Sequence, residues 1–256
     1  MKRVLLTSAL VMGFVASANA NVINGNQLYR PLAGQFASDT MLTTVVGGDS
    51  FKPWMIDTTL TYGITDRLSV TVGTEAWMFD MFDEMGWDMV SVGASFRALD
   101  NGNWQGDIFG GMTRVTMTDW YEMDNGLYFW ELGTRIGYVT NDWTLGGFAT
   151  LTYGEDRPLR WTSEDNGARA VTLGLFGQYI INSEWNIVGE FAYVAREFDN
   201  PSWLRSESLQ MKLGVNYNIS NDMFVGFYGM RTIEMKENMT NNLDQWTLGA
   251  RLGVQF

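Results

Sequence analysis

Apolar and polar residues alternate along most of this chain with a period of two. The pattern is cleanest in the last stretch, Gln245 to Phe256. There Trp246, Leu248, Ala250, Leu252, Val254 and Phe256 are apolar, and Gln245, Thr247, Gly249, Arg251, Gly253 and Gln255 between them are polar or glycine. Successive side chains of a strand point to opposite faces, so this strand has one greasy face and one wet face. The greasy face is expected to meet lipid and the wet face to line a lumen.

The same alternation recurs upstream. A first strand is expected around Asp39 to Val46, with a turn at Gly47-Gly48-Asp49-Ser50. Strand two near Trp54–Ile64 and strand three near Arg67–Ala76 flank a tight turn at Thr65-Asp66. Further hairpins follow around Asp100-Asn101-Gly102-Asn103, Asn141-Asp142, Asn182-Ser183-Glu184 and Ser220-Asn221-Asp222. Asn, Asp and Gly suit such turns because they tolerate left-handed backbone angles. An aromatic precedes each turn (Tyr62, Phe96, Tyr138, Tyr179, Tyr217), and Trp104, Trp143 and Trp185 follow three of them directly. Aromatics bracketing short turns suggest a girdle at one membrane interface. The other connections, Phe79–Trp87, Thr118–Gly126, Gly154–Arg169, Phe198–Glu207 and Glu234–Asp244, are longer and polar or acidic. One leading strand, five hairpins and the terminal strand make about twelve, an even number that puts both ends on one side. The expected fold is all-β: a transmembrane antiparallel up-and-down β-barrel over residues 38–256.

The start of the chain follows other rules. Lys2 and Arg3 precede a mostly apolar Val4–Val15 run, too short to span a bilayer, and Ala18-Asn19-Ala20 fits a small-x-small cleavage site. Residues 1–20 therefore read as a signal peptide for Sec-type export. Residues 21–37 lack alternation and read as a periplasmic segment or a short plug inside the barrel. There is no Cys, which excludes both lipid attachment after cleavage and disulfide staples. Losing Lys2 and Arg3 with the leader takes the net charge from −12 to −14, so nucleic acid is an unsuitable partner.

Sorted by parity, the wet face collects candidates of both signs. The acids are Asp57, Glu75, Asp107, Glu131 and Glu190; the bases are Arg67, Arg97, Arg135, Arg196, Lys212 and Arg251. On a lipid face a charge costs about 2–4 kcal/mol near the midplane, so energy and parity agree. Arg114 has the opposite parity from Asp107, which suggests a bulge at Gly110-Gly111 between them. Around Met223–Ile233 both faces are apolar and Arg231 is the only clue to the wet one. Gly63, Gly73, Gly93, Gly133, Gly214, Gly249 and Gly253 are expected to point inward and leave space. Rows of opposed charge would either select polar or charged solutes in a narrow channel or form a salt-bridged filling of a closed barrel. In the second case, surface loops would serve binding, adhesion or structure.

Enzymatic chemistry is disfavoured. The chain has no His, which removes Ser-His and Asp-His arrangements; only a His-independent site would survive. No cofactor is expected. Met78, Met81, Met85 and Met89 among Asp80, Asp83, Glu84 and Asp88 could offer thioether and carboxylate, but the usual imidazole and thiolate metal ligands are missing.

Two resemblances bear on this reading. The alternation ending in Phe256 resembles the C-terminal assembly signal of Gram-negative outer-membrane β-barrels. Tyr62-Gly63-Ile64-Thr65-Asp66-Arg67-Leu68 resembles the Tyr-Gly-(Leu/Ile)-Thr-Asp-Arg-Leu turn of barrels grouped with phenol meta-pathway transporters. That likeness covers one hairpin and carries over no functional residue. The class implies residence in the outer membrane, with its lipid, lipopolysaccharide and the barrel assembly machinery as partners; small polar solutes or ions are the expected cargo if the lumen is a narrow channel.

Overall fold

A computed structural model describes residues 26–46, 54–78, 85–115, 127–154, 168–198, 205–237 and 245–256. They form twelve strands: β1 (Phe36–Val46), β2 (Trp54–Gly63), β3 (Leu68–Met78), β4 (Met85–Asn101), β5 (Trp104–Val115), β6 (Leu127–Val139), β7 (Trp143–Gly154), β8 (Ala168–Ile180), β9 (Trp185–Phe198), β10 (Arg205–Ser220), β11 (Met223–Glu237) and β12 (Gln245–Gln255). Each pairs antiparallel with its sequence neighbours, and β1 pairs with β12, so the sheet is a closed barrel. The described residues contain no helix. The twelve-stranded up-and-down architecture is the one the alternation implies.

The five tight turns gather at one end, and most use a local polar side chain to fix the chain reversal. Thr65 Oγ1 accepts from the amides of Arg67 and Leu68 at 3.2 and 2.9 Å. Thr140 Oγ1 accepts from those of Asp142 and Trp143, and Asn182 Oδ1 from those of Glu184 and Trp185. Ser220 Oγ accepts from the Asp222 amide. Such bonds replace ladder bonds where the strand stops. The β4–β5 turn instead uses Gly102 at φ +61°.

Outside the barrel the apolar parity is laid bare. Leu213 and Phe227 are each 66% exposed and Leu175 is 60% exposed, all on strands that bury their alternate residues. Large exposed apolar residues occur on every strand except β11's short-turn start, forming a belt. A typical soluble monomer shows apolar patches of only about 300–600 Å². A belt around the whole wall is the surface that hydrocarbon solvates. At the short-turn end aromatics pair along it: Phe36 lies 4.6 Å from Tyr62 and 5.8 Å from Phe256, Tyr138 stands between Trp104 and Trp143, and Trp185 lies 4.8 Å from Tyr217.

Two irregularities differ from expectation. Gly110 and Gly111 pair in unbroken register with Leu132 and Glu131 on β6, and with Ala94 and Gly93 on β4, so no bulge lies there. Register shifts fall instead at Glu75/Ala76, Arg97/Leu99, Glu207/Ser208 and Asn218/Ser220. Arg114 is simply outward, exposed, with its guanidinium 5.8 Å from the Tyr128 ring. β1 starts at Phe36, three residues before the expected Asp39, because Phe36, Ser38, Thr40 and Leu42 already alternate outward against Ala37, Asp39 and Met41.

Candidate functional site

The interior at the short-turn end is occupied by the chain's own residues 26–35. The Asn26 side chain starts a turn by accepting from the Leu28 amide at 2.9 Å, and its carbonyl accepts from that of Tyr29 at 3.1 Å. This turn drives Leu28 into the barrel, where it is 1% exposed against Phe148, Phe176 and Ala192. Neighbouring residues reach across the lumen to separate strands. Asn26 donates to Thr144 at 3.1 Å, Gln27 donates to Glu190 at 2.6 Å, and the Tyr29 hydroxyl bonds Gln255. Arg30 donates to the carbonyls of Arg67 and Ser95 at 2.6 and 2.7 Å. Gly34, at φ +82°, then turns the segment into β1, with its amide bonded to the Gly63 carbonyl at 2.7 Å. A side chain at Gly63 would put its Cβ 2.1 Å from the Leu32 carbonyl oxygen, so glycine is what lets this strap lie against the wall.

Two ionic clusters flank the strap. On β4–β6, Asp107 is 1% exposed and accepts from Arg97 Nε at 2.5 Å and Arg135 Nε at 2.9 Å, with Arg30 Nη1 at 4.0 Å. Arg97 Nη2 also donates to the Leu28 carbonyl at 2.5 Å, which ties the cluster to the strap. Arg135 lies 5.3 Å from the Phe109 ring centre. Burial pushes the Arg30 guanidinium pKa down from its ordinary value, and the Asp107 carboxylate works in the opposite direction. Across the lumen, Arg251 grips Asp39: its Nε lies 2.8 Å from each carboxylate oxygen, and Nη2 also donates to Oδ2. Beside that pair, Lys212 Nζ sits 4.6 Å from the Tyr228 ring centre and Arg251 stacks over Phe224 at 5.4 Å.

Among the described residues the interior keeps space at two places. One cavity of about 90 Å³ is bordered by hydroxyls of β2–β4 and by Asp57, Glu75, Glu131, Arg30 and Arg135. A second, of about 30 Å³, lies among Gln27, Gln178, Glu190, Lys212 and Arg251. Volumes of this order hold ordered water or a few small atoms.

Most of the residues singled out by parity lie inside. Asp57, Glu75, Arg97, Asp107, Glu131, Arg135, Glu190, Arg196, Lys212 and Arg251 all occupy inward positions, and on β12 Trp246, Leu248, Ala250, Leu252, Val254 and Phe256 point out. Arg67 does not line the lumen. It sits exposed in the β2–β3 turn, because the strand begins one residue later, and contributes only its backbone carbonyl to Arg30. Arg231 marks the outer face of β11, 5.4 Å from the outward Trp246 ring, while Thr232 and Met230 turn in. Only some of the inward glycines leave open space: Gly93 borders the larger cavity, whereas the positions above Gly133 and Gly249 are filled by the Phe109 and Tyr228 rings, and that above Gly73 by Ser91 Oγ. Met89 is buried inside the barrel, and the remaining acids and Met81 of its sequence cluster lie outside the described residues or have undescribed side chains. Parity missed Asp39, the first residue of the expected first strand, and Arg30, whose segment has no period. The one available signal for Arg30 was an isolated cation beside Pro31 in a stretch otherwise free of charge.

These features define a class: a closed, twelve-stranded barrel, apolar outside and polar within, with the fold of outer-membrane β-barrels. Among solved structures, the NanC porin superposes with a TM-score of 0.63 at 10% identity, covering 85% of this chain and 98% of that one. An outer-membrane channel from Pseudomonas putida F1 gives 0.63 at 12% identity over 89% and 97% of the two chains, and the KdgM porin 0.51 at 11% over 86% and 99%. At these identities the likeness is one of fold. No protein-family model matches the sequence, and no curated protein matches it.

Proposed function

We propose that this chain sits in the outer membrane of a Gram-negative bacterium, following export and loss of residues 1–20, as a narrow passive channel for small polar solutes or ions. Lipid and lipopolysaccharide surround it, and the barrel assembly machinery inserts it. The short-turn end faces the periplasm and the acidic long connections face out, as in barrels of this class. The observation that carries the reading is the contrast between an apolar outer belt and a lumen of charged and hydroxyl groups that keeps a cavity of about 90 Å³. The porin and channel names of its structural neighbours agree with it. No catalytic step, metal or cofactor enters the proposal.

The strap favours a specific form of this reading, in which residues 26–35 throttle the periplasmic mouth. It equally supports the alternative of a closed barrel whose loops bind a surface partner. Planar-bilayer recording separates them. The full chain is expected to give small, steady conductance that changes ion selectivity in Glu131→Gln or Arg135→Gln protein, and deletion of residues 26–35 is expected to enlarge it several-fold. Silence at every voltage, with and without the strap, would reject the channel and leave the binding module.

A further inference from the structure

The opposite half of the lumen, toward the long connections, is bonded differently. Arg196 on β9 faces inward and is 4% exposed, yet among the described residues none of its three guanidinium nitrogens has a hydrogen-bond partner. The other inward bases of the strands are engaged: Arg97 and Arg135 by Asp107, Arg251 by Asp39, and Lys212 by the Tyr228 ring. Around Arg196 the β-ladder assembles further donors. Ser206 lies directly across from it on β10, Ser208 follows on the same face, and Gln210 stands across from Thr232 on β11. The hydroxyls of Ser206, Ser208 and Thr232 and the amide nitrogen of Gln210 are buried and also lack partners among the described residues.

Such a concentration is unusual. Buried polar groups are ordinarily bonded, and a buried charge without a counter-charge is strongly unfavourable. Glu234, across from Ser208, lends its field to Arg196 but accepts no hydrogen bond from it. The patch is therefore a row of buried donors with, at its Ser206 end, a guanidinium that has the Glu234 charge nearby but no hydrogen bond among the described residues.

We infer that this patch binds the carboxylate of a small monoanion that also carries hydroxyl groups. A guanidinium fork fits two carboxylate oxygens side by side. Ser and Thr hydroxyls both give and accept hydrogen bonds, so they match ligand hydroxyls, which simple carboxylates lack. One cation under the field of Glu234 cannot balance a doubly charged ligand, which sets the charge at one. The site lies in the outer half of the barrel and would capture its ligand whether or not the lumen conducts.

Calorimetric titration of the refolded full chain in detergent tests this without any conductance measurement, using lactate as the hydroxy acid, propionate as its counterpart without the hydroxyl, and inorganic phosphate as the multiply charged comparator. Lactate is expected to bind saturably, more tightly than propionate or phosphate. Arg196→Gln should weaken lactate by about tenfold or more, and Arg196→Lys by less, since the charge stays while the fork is lost. A Ser208→Ala, Thr232→Val double variant, which keeps the cation, should bring lactate down to the affinity of propionate; its folding is checked by the heat-dependent gel mobility of closed barrels. The inference is overturned if lactate gives no saturable heat, if Arg196→Gln binds it as the wild type does, or if phosphate binds more tightly. In each case the channel reading stands or falls separately, on its own recordings.

Discussion

Asp107 shows how much a single side chain can hold in a lumen. Its two carboxylate oxygens sit against Arg97 and Arg135, with Arg30 of the strap at 4.0 Å. Removing one partner of a buried ionic group leaves the others uncompensated, at a cost of about 3–5 kcal/mol. Asp107→Asn is therefore expected to lower barrel stability by that amount, read as an earlier urea midpoint in detergent, with the strap loosened as well. Tyr29 supplies a pH dependence of the strap. Burial first, and then the Asp222 charge, push its phenol up from 10.0 to about 12. A raised pKa means the folded form holds the proton more tightly, so this contribution is complete below pH 10 and is lost as pH climbs from 10 through about 12. Protease cleavage within residues 26–35 should accordingly rise across that window, and Tyr29→Phe should flatten the rise. At this scale the sequence disclosed most of the strand charges that turn inward, since parity decides the face within a strand; Arg67 in its turn, Arg231 on the outer face of β11, and Asp39 and Arg30 escaped it. It did not disclose which charges meet. Asp107 and Arg135 face one another through strand register, and Asp39 and Arg251 through closure of the ring, neither of which is a local property.

Strands and turns were the most legible level. Thr65, Thr140, Asn182 and Ser220 each stop a strand by offering a side-chain acceptor to the next amides, a signal contained in a few residues. β10 illustrates the result: Met211, Leu213 and Val215 are exposed while Gln210, Gly214 and Asn216 are buried. Leu213→Arg would place a charge on the lipid side of this strand and should cost about 2–4 kcal/mol if it lies near the bilayer midplane, whereas the inward neighbour Lys212 already carries one. Equilibrium unfolding in lipid vesicles measures the difference, and a Leu213→Arg barrel as stable as the wild type would contradict the assignment of faces. What misled the pattern was irregularity. At Gly110-Gly111 a glycine pair looked like a bulge, although glycine also serves a flat, continuous ladder. The true shift at Glu207/Ser208 occurs with no glycine among the paired residues to advertise it.

For the whole molecule, strand number and closure could be counted, but the contents of the barrel could not. Inward glycines looked like room for solute; Gly93 does border the cavity, but Gly133 and Gly249 are sockets for Phe109 and Tyr228, because a ring from one strand leans over the bare backbone of the next. The strap was equally hidden. Its residues carry no period of two, and nothing in Gln27 or Leu28 names Glu190 or Phe176 as a destination. Polar strap residues bonding six different strands explain why the interior is both charged and nearly full.

The seam carries one more implication. Phe36 and Phe256 exchange amide-to-carbonyl bonds at 2.7 and 2.9 Å, and the β1–β12 ladder runs on from them through Ala37 and Gln255. The first strand thus waits, edge exposed, until β12 has been synthesised and delivered. Without β12 the ring cannot close, and a chain lacking that strand is an open sheet whose two bare margins seek any other strand nearby.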